Sequence, residues 1–155
     1  ADITIAYKDG LQQVLLNGEN VTGLLRTEEV GNMASASSVN KDVRLKLVEL
    51  QRALAERENV VMDGRDIGTY VLPKANVKVY LTASSACRAK RRYDELTEKG
   101  ETCDLAAIEA DIIERDKRDM EREFAPLRQA EDATYVDSSD MTIDEVITAI
   151  TDLIH

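Results

Sequence analysis

Apolar and polar residues alternate along the start of the chain and recur at helical spacing from residue 41 onward, and the change of period divides the sequence into two kinds of structure. DITIAY and LQQVLLNG flank the turn Lys8-Asp9-Gly10, and a second turn signal, NGEN, precedes VTGLL, so a meander of two or three strands is expected. Thr27 is placed to cap a short helix opening with Glu28 and Glu29, after which ASASSVN reads as a loosening into small residues. Asn40 then caps KDVRLKLVELQRALAER, where Val43, Leu47, Leu50 and Leu54 share one helical face.

Beyond residue 58, strand and helix patterns alternate, which predicts an α/β sheet with parallel strands. Strands are expected at 60–63 (VVMD), 76–82 (NVKVYLT) and 133–137 (ATYVD). Ser84 or Ser85 caps a helix that Gly100 ends, Asp104 opens a second that must stop before Pro126, and Thr142 caps the last, TIDEVITAITDLI. Three core strands are few for a parallel sheet covered by helices.

The stretch VVMDGRDIGTYVLP interrupts this scheme with two carboxylates and a guanidinium around Gly64. One reading is a two-residue hairpin closed by Asp63-Gly64. The other is a ligand-binding turn at the carboxyl end of a parallel strand, where α/β sheets place their sites.

Composition narrows the choice. A net charge of -10 argues against a nucleic-acid polymer or an anionic membrane as partner, since those require a basic surface. No apolar run is long enough to cross a bilayer, the start of the chain does not have the form of a signal peptide, and Cys87 and Cys103 stand in no metal or redox spacing; a cytoplasmic location is expected. The single histidine, His155, is read as solvent-exposed, which leaves arginine, aspartate and serine to carry any chemistry.

Arginine outnumbers lysine 12 to 8 and gathers at Arg65, at Arg88, Arg91 and Arg92, and at Arg115, Arg118 and Arg122. The spacing of the last three puts them on one face if they share a helix. Interleaved Glu114, Asp116, Asp119, Glu121 and Glu123 permit a plain solvated helix of ion pairs. The same residues also suit a face that closes over phosphates, because the guanidinium fork binds phosphate in a bidentate way. Transfer between phosphates suits this residue set, for the attacking oxygen is already anionic and little general-base chemistry is required.

VVMDGRDIGTYVLP, NVKVYLTAS, RAKRRYDEL, IERDKRDMEREFAPL and YVDSS, in that order, closely resemble the bacterial cytidylate kinase family from about residue 20 to the end. The resemblance implies a P-loop nucleoside monophosphate kinase-like parallel sheet with flanking helices, a small strand-containing insert for the nucleoside monophosphate, and a helical lid. It divides the chain into an insert at 1–57, core strands and helix at 58–102, the lid at 103–128, and a core strand with the C-terminal helix at 129–155. By resemblance, Ser35, Arg44 and Asp66 contact the cytosine ring, Arg65 and Arg122 contact phosphate, and Arg115 and Asp119 hold the sugar. Arg115 and Arg118 lie in the lid over the transferring phosphoryl group, and Arg91 and Arg92 match basic residues near its base. The implied substrates are CMP or dCMP and ATP, with Mg2+ as cofactor of the complete enzyme.

One departure is large. The family begins with a strand and a P-loop of the form G-x-x-x-x-G-K-[ST], whereas none of the seven glycines here precedes a Lys-Ser or Lys-Thr pair. The expectation is an incomplete sheet in a chain shortened at its N-terminus, inactive alone and prone to self-association through unpaired strand edges. A non-catalytic nucleotide-binding or interaction module is the alternative, and metal ligands are left unassigned.

Overall fold

The computed structural model describes residues 2–25, 27–37 and 40–154, without the side chains of residues 28, 32 and 35. The chain forms two compact units, Ala1–Leu50 and Gln51–His155.

In the first unit, β1 (Ile3–Lys8), β2 (Leu11–Leu16) and β3 (Glu19–Asn20) make an antiparallel sheet in sequence order. Lys8 pairs with Leu11 and Leu16 with Glu19, so each connection is a two-residue turn. Asp9 and Gly10 have φ of 53° and 76°, and Asn17 and Gly18 have 51° and 85°. Both turns therefore use a left-handed pair that matches strand twist, which is why Asp-Gly and Asn-Gly stand there. The meander is as expected.

Helix α1 (Glu28–Ser37) is capped by Thr27, whose hydroxyl accepts from the Val30 amide at 3.3 Å. It continues into the alanine and serine stretch expected to loosen, as far as Ser37; residues 38 and 39 of that stretch lie outside the described residues. Alanine is the best helix former, and the Ser37 hydroxyl bonds back to the Ala34 carbonyl instead of breaking the helix. Asn40 caps α2 (Lys41–Arg57) by accepting from the amides of Asp42 and Val43 at 2.9 and 3.2 Å.

In the second unit, β4 (Val79–Thr82) and β5 (Thr134–Asp137) pair in parallel, Val79 opposite Thr134 and Thr82 opposite Asp137. They are joined through α3 (Ser85–Glu98) and α4 (Leu105–Glu121), and α5 (Ile143–Thr151) follows β5. Val71, Ala83, Ala89 and Val136 are buried here. Ser84 caps α3, Asp104 caps α4, and Thr142 forms a reciprocal capping box with Glu145 on α5. The result is a mixed α/β chain with a small parallel sheet, in keeping with a kinase-like fold.

Residues 60–63 are not a strand. Among the described residues only β4 and β5 form the parallel ladder, and an apolar run without a hydrogen-bonding neighbour has nothing to hold it as one. Val61 is 97% exposed. The hairpin reading fails as well, because Ile67–Val71 form a turn of π-helix, with the Val71 amide donating to the Asp66 carbonyl and the Leu72 amide to that of Ile67.

Candidate functional site

The loop ahead of the π-helical turn is shaped by close approach. A Cβ at Gly64 would stand 2.8 Å from Ile67 Cγ1, so a larger residue would displace the side chain that opens the turn. The Asp66 carbonyl then accepts from the amides of Tyr70 and Val71 at 2.8 and 3.1 Å, and its carboxylate is largely buried. Arg52, on α2, fixes the other end of the turn by donating to the carbonyls of Val71 and Tyr70 at 2.8 and 2.6 Å. Nothing local in the sequence marked Arg52 for this task.

Two charge pairs join this loop to the C-terminal end of α4. Arg65 Nε donates to Asp119 Oδ2 at 2.8 Å, and Arg122 Nη2 lies 3.8 Å from Asp66 Oδ2. Consecutive loop residues of opposite charge thus face Asp119 of α4 and Arg122 just past its end. Arg65 has a side chain 42% exposed, so its guanidinium is held at Nε while still open to water. The Asp66 side chain is only 11% exposed and keeps an arginine beside it, as a buried carboxylate must.

Arg122 is not on the helical face with Arg115 and Arg118. It is the C-cap of α4 with extended backbone (ψ 140°), because its own amide ends the helix on the Arg118 carbonyl and the chain then turns away. Arg115 and Arg118 are exposed on α4, Arg118 standing 3.9 Å from Glu114 in a surface pair. Of the predicted residues, the structure brings together Arg65, Asp66, Asp119 and Arg122. Arg44 is half-buried on α2 in the first unit, while the Ser35 side chain and His155 lie outside the described residues.

The arginines of α3 are used differently. Arg88 donates through Nε to the Ala83 carbonyl and through both Nη atoms to Asp116, at 3.0 and 2.6 Å. The Asp116 hydrogen bond raises the pKa of Arg88 against the opposing pull of burial. Arg91 donates to the Ser138 carbonyl at 2.5 Å, just beyond β5, and Arg92 pairs with Glu95 on the helix surface.

No group of three His, Cys, Asp or Glu side chains among the described residues is placed to hold a metal ion. No helix among the described residues is long and apolar enough to cross a membrane.

The Asp66 loop and the C-terminal end of α4 thus meet through two arginine–carboxylate pairs, one of them around a largely buried carboxylate, and comparison with known proteins gives the family. The model of the cytidylate kinase family matches residues 1–155. A cytidylate kinase of Caldicellulosiruptor saccharolyticus is 50% identical over 154 residues, which cover 99% of this chain and 68% of that protein. A cytidylate kinase of Lactobacillus gasseri is 49% identical over 98% of this chain and 67% of its own length, and that of Bacillus subtilis 46% identical over 97% and 67%. The chain belongs to the cytidylate kinase family, whose members are nucleotide-binding transferases.

Proposed function

We propose that the chain carries the acceptor side of a kinase that transfers a phosphoryl group from ATP to CMP or dCMP, with Asp66 reading the base and Arg65 and Arg122 holding the acceptor phosphate. The observation that supports this reading is the buried Asp66 carboxylate at the end of an apolar segment, flanked by two arginines, one of them open to water. Cytosine presents an amino group at N4 that a carboxylate accepts, whereas uracil presents a carbonyl that it repels. The two guanidinium forks suit a phosphate that already carries its negative charge, and they compensate the charge that builds up during transfer.

Asp119 and Arg115 are proposed to hold the sugar, and Arg118 with Arg115 to serve the lid over the transferring group. Ser35 and Arg44 carry their base-contacting roles from the family resemblance alone. The sequence has no stretch of the form G-x-x-x-x-G-K-[ST], and the donor phosphates are best cradled by such amides and lysine. The proposal therefore includes that these 155 residues by themselves bind CMP without passing phosphate to it from ATP.

Calorimetric titration with CMP and UMP tests the base-reading role. The chain binds CMP more tightly than UMP, and Asp66→Ala narrows the gap by roughly tenfold, since removal of one buried charged acceptor costs one to three kcal/mol. Equal losses for the two nucleotides would contradict the assignment.

A further inference from the structure

Ala125 has a φ of 49°, left-handed backbone in a residue with a Cβ that is followed by proline. Both features disfavour that conformation. Strain of this kind persists only where neighbours over-determine it, and three contacts do so here. The Leu127 amide donates to the Asp119 carbonyl at 2.8 Å, folding the segment back on the last turn of α4. The Phe124 ring packs edge-on against Tyr70, with centroids 5.0 Å apart. Arg122 Nε donates to the Ala125 carbonyl at 2.6 Å.

The third contact gives the strain a use. Arg122 is the C-cap of α4 with extended backbone, so its side chain leaves the row set by the helix. With Nε tied to the Ala125 carbonyl, its Nη2 is turned toward Asp66. We infer that Ala125 is a positioning residue: its left-handed carbonyl orients the Arg122 guanidinium for the acceptor phosphate. This deepens the proposed function and rests on the phosphate-holding role of Arg122.

Affinity for CMP and for cytidine, measured on the 155-residue chain, separates the phosphate contribution from that of the base and sugar. Ala125→Gly, which tolerates positive φ, keeps both affinities within about twofold. Ala125→Val, which resists it, weakens CMP by about tenfold and cytidine by less than about twofold. With Arg122→Lys already present there is no Nε to donate, and adding Ala125→Val lowers CMP affinity no further. Equal loss of CMP and cytidine, or no loss of either, overturns the inference by making the turn merely structural. Should Ala125→Val fail to fold, the nitrogen-15 spectrum of the unaltered chain decides: one slowly exchanging arginine Nε–H signal disappears on Arg122→Lys, and its absence overturns the inference. If the unaltered chain binds CMP no better than cytidine, it is the phosphate-holding reading of Arg122 that fails.

Discussion

Arg88 and Arg91 on α3 and Arg65 and Arg122 beside the C-terminal end of α4 are the same side chain put to two uses. On α3 the guanidinium groups meet main-chain oxygens at the ends of both strands, Ala83 beyond β4 and Ser138 beyond β5, with Asp116 completing the set for Arg88. The two carbonyls are fixed by the strands they follow and cannot be exchanged for a ligand without unpicking the fold. In the loop, Arg65 meets the Asp119 carboxylate with its own side chain 42% exposed, and under the proposed function a phosphate takes the place of that carboxylate. Abundance of arginine therefore says little; whether the partner is replaceable separates a structural arginine from one able to receive an anion.

The largest effect is expected at Arg88. Arg88→Ala strips hydrogen bonds from a half-buried carboxylate and a strand-end carbonyl, and should lower stability by about 2–3 kcal/mol. Thermal unfolding checks this. CMP affinity measured well below the melting temperature should move by less than about twofold, because Arg88 holds the frame and not the ligand. A loss of CMP affinity without a loss of stability would erase the distinction between the two sets.

Arg65→Ala should show the inverse. Its pair with Asp119 is 42% and 20% exposed on the two side chains, and such a pair contributes no more than about 1 kcal/mol. Loss of a charge-assisted fork to phosphate, in contrast, should weaken CMP by about tenfold. Melting temperature and CMP titration on the same preparation test both halves of the statement.

The sequence carried those parts of the fold that depend on neighbours a few residues apart. Asp9-Gly10 and Asn17-Gly18 announced their turns, and Asn40, Ser84, Asp104 and Thr142 their helices, because a cap or a tight turn is settled within four residues. Residues 60–63 had the composition of a strand, but strands are made by partners elsewhere in the chain. The departure of Arg122 from the helical face and the left-handed Ala125 were hidden for the same reason: contacts with Asp119, Tyr70 and Asp66 support them, and no local spacing encodes those contacts. Of the site, the residue types were legible; that Arg65 pairs with Asp119 while Arg88 and Arg91 reach the strand-end carbonyls was not.

Arg92 supplies the smallest effect and the control for both sets, since it lies in the same run as Arg88 and Arg91 yet meets only a surface partner. Glu95 accepts from Lys99 and from Arg92, and these bonds, that of Lys99 foremost, hold its carboxyl down to about 2 from 4.5. A carboxyl held lower in the folded chain than in the unfolded one adds stability in full above the unfolded value and loses it as pH falls through the folded value. The window is thus from about 4.5 to about 2. Because Glu95 is exposed, water and salt screen most of the gain. Glu95→Gln should lower the melting temperature slightly at about pH 6, and the difference from the unaltered chain should shrink toward zero at about pH 2 or in about 1 M salt. A difference that survives both acid and salt would place this pair with the fixed contacts of Arg88 and Arg91, and exposure would no longer distinguish the arginines that α3 spends on its frame from the one it leaves to solvent.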